Sequence, residues 1–180
     1  KPITATAVLM LQDEGKLSVD DLVEKHLPEF KNQWMIEEKS NDALKLKRPP
    51  RAITLRDLLT HTSGLGDVPA PRPDSTLAEL GMAYAQQPLR FPPGSQWQYS
   101  NAGINTLGRI VEVVSGRKFQ DFLHERIFRH LGMADTIFYP SEGAFRSRAN
   151  QIQRLAKSYQ PAASGRGLEK TDIAFLRGGL

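Results

Sequence analysis

Tyr99 and Asn101 stand two residues apart, just after a Pro/Gly turn and at the start of a stretch with helical periodicity. The segment reads Phe91-Pro92-Pro93-Gly94-Ser95-Gln96-Trp97-Gln98-Tyr99-Ser100-Asn101. A phenol can take up and release a proton, and a carboxamide can donate and accept hydrogen bonds at once. Side by side, the two suit a site that cleaves an acyl bond. Such a site also needs a nucleophile and donors for an oxyanion, and neither is evident in the 180 residues.

The chain length fits one domain large enough to bury a core. Its hydrophobic share of 39% and charged share of 24% are those of a soluble globular protein, slightly polar. The net charge is only +4, and the 24 Lys and Arg are scattered. The densest cluster, Lys45-Leu46-Lys47-Arg48, reads as a solvated loop rather than a nucleic-acid patch, so no nucleic-acid partner is expected. The absence of cysteine excludes disulfides, Cys-ligated zinc and a cysteine nucleophile. No apolar run approaches the length of a membrane span, and no signal peptide is visible. The sequence opens on Lys1, inside a helical pattern with no capping residue before it, which leads us to expect a start further upstream.

Several elements must position the Tyr/Asn pair. Residues 3–15 read as a helix, with Ile3, Ala7, Met10 and Leu11 at helical spacing and Gly15 as the stop. Ser18 is expected to cap a second, short helix that Pro28 helps to end. Residues 31–52 read as a charged, irregular surface excursion. Thr54 caps a short helix from Leu55 to Thr60 that Gly64 ends, and residues 67–73 form a Pro-rich loop. Thr76-Leu77-Ala78-Glu79 is a capping box opening a helix to about Gln87. The clearest helix follows Asn101, with Leu107, Ile110, Val111 and Val114 on one face and Gly116 at its end. Phe119, Phe122, Leu123 and Ile127 share a face of another, ending near Gly132. Weak strand signals lie at residues 136–139 and 152–159, Ser164-Gly165-Arg166-Gly167 reads as a turn, and Gly178-Gly179-Leu180 as a turn entering a further element. Well-packed helices with only scraps of sheet suggest the helical part of a mixed α/β domain whose sheet is mostly elsewhere.

Four motifs, in one order, carry a family resemblance. Residues 53–65, Ile53-Thr54-Leu55-Arg56-Asp57-Leu58-Leu59-Thr60-His61-Thr62-Ser63-Gly64-Leu65, resemble the T-x-x-x-L-L-x-H-T-S-G-L segment of the serine β-lactamase-related family. That family holds class C β-lactamases, D-alanyl-D-alanine carboxypeptidases and related (family VIII-type) esterases. The stretch from Pro93-Gly94 to Tyr99-Ser100-Asn101 resembles its P-G-x-x-x-x-Y-S-N segment with the Tyr-x-Asn motif. Lys1-Pro2-Ile3-Thr4-Ala5 is similar to the tail of its Ser-x-x-Lys motif, and residues 15–21 to its G-K-L-x-L-D-D. Gly178-Gly179-Leu180 is similar to a Gly-Gly-Leu that precedes a later helix in the family.

The resemblance implies an α/β fold of α+β type, β-lactamase/transpeptidase-like, with residues 1–180 a partial domain that is mainly the helical lobe with few strands. It implies a nucleophilic serine three residues before Lys1 and a third motif beyond Leu180, both outside this sequence. It implies Lys1 as the base for that serine, Tyr99 as a proton-transfer residue, and Asn101 as the group that holds Lys1 and binds the amide of the acyl substrate. A lysine acts as a base only as a neutral amine, a state favoured by burial or a neighbouring cation. No metal or other cofactor is expected. The substrate would be a β-lactam, a D-Ala-D-Ala peptide or an ester, and the compartment periplasmic or secreted. The 180 residues alone are expected to be inactive.

Each of these residues also has a plainer role. Lys1 could be merely an exposed first residue, Tyr99 a half-buried tyrosine with its hydroxyl on the backbone, and Asn101 an N-cap. Ser100 is expected to shape the turn, Trp97 to pack beneath it rather than wall a pocket, and His61 to make a structural hydrogen bond at a helix end. His124 and His130, six apart, do not align on a helix face, so a zinc pair is not expected. Gly64-Leu65-Gly66 lacks the third glycine of a phosphate loop. A non-catalytic homologue that binds peptidoglycan or a partner protein remains the alternative to an enzyme. Without its sheet, the chain is expected to expose the apolar faces of the helices at 104–114 and 119–131.

Overall fold

The computed structural model describes residues 1–41, 43–68, 75–136 and 159–170. Helix α1, Pro2–Asp13, starts on a proline whose fixed φ suits the first helical position, and Gly15 closes it at φ +69°. The helix expected from Ser18 begins later, as α2, Val23–His26. The Ser18 hydroxyl accepts the Asp20 N–H and the Asp21 carboxylate accepts the Ser18 N–H, so these residues close a turn instead. Pro28 then opens a short 3-10 turn, Pro28–Phe30.

The excursion over 31–52 contains an antiparallel hairpin. Strand β1, Met35–Lys39, pairs with β2, Leu44–Lys47, with Met35 opposite Lys47 and an irregularity between Ile36 and Glu38. The whole of β2 is exposed, although Leu44-Lys45-Leu46-Lys47 alternates apolar and polar, so its alternation marks no buried face. Cross-strand pairs of Glu37 with Lys45 and Lys47 fill the place of an apolar face. The hairpin is tied to the rest of the chain where the Leu89 N–H donates to the Trp34 carbonyl and the Ile36 N–H to the Leu89 carbonyl, both at 2.8 Å.

The expected cap at Thr54 and the expected capping box at Thr76 are both present, and Asp57 makes the first a reciprocal box as well. Thr54 and Asp57 cap α3, Leu55–Leu59, and Thr76 and Glu79 cap α4, Leu77–Ala85. Helix α3 is not ended by Gly64. His61 takes the left-handed conformation at φ 60° two residues past Leu59, and Gly64 lies instead against the Phe91 main chain. Helix α5, Asn101–Ser115, is capped by Ser100 and stopped by Gly116 at φ 68°. Helix α6, Phe119–Leu123, runs on into a π-turn over His124–Phe128 before Gly132. Strands β3, Tyr159–Pro161, and β4, Leu168–Lys170, form a hairpin around the expected turn at 164–167. Apart from Thr136 and Tyr159, the expected strands at 136–139 and 152–159 lie outside the described residues. So do residues 178–180 and the Pro-rich loop beyond Val68.

Helix α5 is the centre of the core and packs on α1, α3, α4 and α6. Ile104, Leu107, Ile110 and Val111 are at most 4% exposed, and Phe119, Phe122, Leu123 and Ile127 are buried too. This corrects the expectation of bare apolar faces: the helices cover one another. Gly103 and Gly108 permit the close approach. A Cβ at Gly103 would stand 3.4 Å from the Leu58 carbonyl oxygen, and one at Gly108 would stand 3.2 Å from the Leu77 side chain.

Residues 61–64 run beside residues 90–98 and fix the turn that leads to Tyr99. The Arg90 N–H donates to the Gly64 carbonyl and the Gly94 N–H to the Thr62 carbonyl, each at 2.8 Å, and the Gln98 N–H donates to the His61 carbonyl at 2.9 Å. Gly64 sits at φ +77° with a hypothetical Cβ only 2.4 Å from the Phe91 carbonyl oxygen. Gly64→Ala should therefore lower stability by about 1–3 kcal/mol, from left-handed strain plus the collision, as read by urea unfolding. An unchanged midpoint would contradict this packing.

Asp57 braces the same region. Its carboxylate receives two Arg51 guanidinium bonds, at 2.6 and 2.8 Å, and bonds from the Thr54 N–H and hydroxyl at 2.9 Å. Burial works to raise its pKa, but the Arg51 and Thr54 bonds together outweigh it and hold the carboxyl below the usual 3.8. A lowered folded pKa gives stabilisation that is complete above the unfolded value and lost as pH falls through the folded one. Asp57→Asn should cost about 2 kcal/mol at pH 7, and the gap to the parent should close in acid. Unfolding curves at neutral and strongly acidic pH check this, and a gap independent of pH would count against it.

Candidate active site

The site is built at the amino end of α5. Pro92, Pro93, Gly94 and Ser95 form a turn in which the Ser95 N–H donates to the Pro92 carbonyl at 3.0 Å and Gly94 takes φ +83°. Proline before a left-handed glycine is the pattern of a type II turn. The chain then passes Trp97 and Tyr99 and enters the helix at Ser100, whose extended backbone (φ −142°, ψ 124°) is that of an N-cap.

The first amides of α5 are satisfied by two groups. The Ser100 hydroxyl accepts the Gly103 N–H at 3.1 Å, and Asp67 Oδ1 accepts the Ala102 N–H at 2.6 Å. The Asp67 carboxylate also meets the positive end of the helix dipole. Asn101 is thus not the N-cap, and its side chain is free for another partner. That partner is Lys1, whose Nζ donates to Asn101 Oδ1 at 2.7 Å. Lys1 itself precedes the first turn of α1, and the packing of α1 on α5 brings the two residues together.

Tyr99 lies beside them. The Lys1 Nζ is 5.0 Å from the centre of the Tyr99 ring, a distance at which its protonated form makes a cation–π contact. Tyr99 is half exposed, and its hydroxyl forms no hydrogen bond with a described residue. The plain alternative, a phenol tied to the backbone, is therefore not what is found. Trp97 is 69% exposed and touches His61 edge-on at 6.2 Å, so it is not the buried anchor expected beneath the turn.

His61 makes the structural hydrogen bond expected of it at the end of α3, but its reach is wider. Its ring stacks on Tyr99 at 5.1 Å, and its Nδ1 accepts the Ser100 N–H at 3.2 Å. Burial, then the charge of Lys1, lowers its pKa, with the Asp67 carboxylate opposing. Asp67 escaped the sequence reading because its partner lies 35 residues away, with no local signal. Asn105, one turn after Asn101, donates to the hydroxyl of the buried Tyr84 at 2.9 Å and joins α5 to α4. A groove of about 470 Å³ opens between the β1–β2 hairpin and residues 66–68, lined by Asp67 and Arg90 rather than by Lys1 or Tyr99. Among the described residues no three His, Asp or Glu side chains converge to hold a cation, and no helix is long and apolar enough to cross a membrane.

The family model described as Beta-lactamase matches residues 1–171. A lovastatin esterase of Penicillium rubens is 34% identical over 152 residues, covering 78% of this chain and 38% of that protein. Penicillin-binding protein 4 of Amycolatopsis lactamdurans is 34% identical over 166 residues, covering 90% of this chain and 40% of that protein. The unliganded simvastatin synthase LovD of Aspergillus terreus superposes with a TM-score of 0.74 at 26% identity, over 98% of this chain and 46% of that one. The chain spans about two fifths of the length of these curated relatives. With the fold, motif order and matches in agreement, the chain belongs to the β-lactamase family and carries part of its β-lactamase/transpeptidase-like α/β fold.

Proposed function

We propose that these residues form part of the active site of a serine hydrolase that works through an acyl-enzyme on ester, D-Ala-D-Ala peptide or β-lactam substrates. The observation that carries this is the meeting of Lys1 and Asn101. They come from separate motifs 100 positions apart, yet bond at 2.7 Å beside Tyr99.

In this reading the nucleophile is a serine three residues before Lys1, one helical turn away on the same face. A serine hydroxyl is a weak nucleophile until a base takes its proton. Lys1, as the neutral amine, accepts that proton while the serine Oγ bonds to the acyl carbon. Asn101 Oδ1 holds one Lys1 N–H, which aims the nitrogen lone pair elsewhere, toward the serine. The bond from acyl carbon to leaving group then breaks, and the leaving atom takes the proton passed through Lys1 and Tyr99. Water next attacks the acyl-enzyme, its proton returns to the serine oxygen, and the acid product departs. Asn101 Nδ2 remains available for the carbonyl of an acylamino substrate.

The same proposal makes residues 1–180 the helical part of a domain whose sheet and oxyanion donors come from elsewhere in a longer protein. Loss of a single oxyanion donor costs about a hundred- to a thousandfold in rate, so the segment alone would show no turnover.

The test uses the full-length protein with a fluorescent penicillin and with p-nitrophenyl esters. A covalent adduct on the serine three residues before Lys1, located by mass spectrometry, is expected with at least one reagent. Tyr99→Phe should lower kcat by about 10²–10⁴-fold while KM moves little, since the phenol acts on protons in the transition state. A residue other than serine at that position, or the absence of both adduct and hydrolysis, would sink the enzyme and favour a binding homologue.

A further inference from the structure

His61 is left unused by the reaction above, yet it touches the Tyr99 segment in three ways. Its main-chain carbonyl accepts the Gln98 N–H at 2.9 Å, its Nδ1 accepts the Ser100 N–H at 3.2 Å, and its ring lies against Tyr99 at 5.1 Å with an interplanar angle of 27°. Both neighbours of Tyr99 are thus bonded to one residue, and Tyr99 itself rests on that residue's ring. We propose that His61 is a positioning residue for Tyr99, acting through a neutral imidazole whose Nδ1 holds the Ser100 amide.

The geometry demands a particular tautomer. Nδ1 must carry a lone pair to accept an N–H, so the ring proton belongs on Nε2. An imidazolium has no such lone pair and would release the Ser100 amide. The charged groups facing the ring are Lys1, ahead of α1, and Asp67, in the loop after α3. Burial favours the neutral ring, as does Lys1 whenever it is protonated, and Asp67 works against them. The left-handed backbone of His61, at φ 60°, turns the chain at the end of α3 so that ring and carbonyl can both reach residues 98–100. Asparagine tolerates that conformation and offers an amide oxygen close to the place of Nδ1. Glycine tolerates it as well and offers nothing.

This inference rests on the hydrolase reading, so the full-length protein is assayed first with the ester or penicillin that acylates it. His61→Gly should lower kcat about a hundredfold with KM within a small factor, as expected when a reacting group is misplaced by about 1 Å. His61→Asn should run about tenfold faster than the Gly variant and stay about tenfold below the parent, the upper end of what an aromatic stack is worth. Imidazole 15N shifts of the parent at neutral pH should report a protonated Nε2 and a bare Nδ1. Both variants keep the backbone conformation accessible, and thermal melts verify folding. An inert parent protein overturns the hydrolase reading and the inference with it. With an active parent, a His61→Gly variant with unchanged kcat, equal losses in the Gly and Asn variants, or an Nδ1–H tautomer overturns the role of His61 alone.

Discussion

The main-chain register between residues 61–64 and 90–98 is the constraint on which the site depends. Three amide–carbonyl bonds hold it, and Gly64 allows it because a side chain there would meet the Phe91 carbonyl. The pairing fixes where the Pro92–Ser95 turn ends and so where α5 begins. Asp57 and Arg51 brace the same place from beneath: a Cβ on Gly94 would stand 2.5 Å from an Arg51 guanidinium nitrogen. Each of these contacts is structural, yet together they set the position of Tyr99 relative to Lys1. A small slip in this register would move the phenol by a residue spacing, far beyond what hydrogen-bond chemistry tolerates.

The amino end of α5 shows how the helix terminus is used. An uncapped terminus offers several amides to an anion. Here the Ala102 and Gly103 amides are occupied by Asp67 and Ser100. An acyl oxyanion could not use them without displacing a carboxylate. In the proposed hydrolase the terminus would therefore orient Asn101 rather than bind the developing charge. That agrees with a proposal in which the oxyanion donors come from elsewhere in a longer protein.

What was legible in the sequence was local. The cap at Thr54, the box Thr76/Glu79 and the stop at Gly116 depend on residues within one turn, and all three formed as read; Asp57, three residues past Thr54, completes a second box that the same local spacing allows. Errors arose where a distant partner decides. Gly64 is the natural stop for α3 by type, yet His61 takes the left-handed position because its carbonyl and ring are held by residues 98 and 100. Asn101 suits an N-cap as well as Ser100 does by type; the extended backbone and capping bond of Ser100, and the Lys1 partner of Asn101, distinguish them. The β1–β2 hairpin gave only a short signal: β2 alternates Leu and Lys over just four residues, and β1 turns charged after Met35 and Ile36, so the stretch read as a charged loop. Trp97 looked like a packing residue by type, but the turn beneath it is already closed by hydrogen bonds and glycine contacts, and the indole stays outside.

The mutual cover of the helices also bears on the geometry of the candidate site. A bond between Lys1 and Asn101 is only as steady as the packing of α1 on α5. That packing is dry: Ala7, Val8 and Leu11 on α1 and Leu107, Ile110 and Val111 on α5 are fully buried. A densely packed interior resists displacement, since even a gap of 0.5–1 Å forfeits roughly a quarter to a half of each dispersion contact. The two residues are thus held by a rigid pair of helices rather than by their own hydrogen bond, which need only orient the amine. Removing the bond by Asn101→Ala would leave Lys1 in place but free to rotate. Removing core volume between the helices would move Lys1 bodily, so mutations that never touch the site can still disable it.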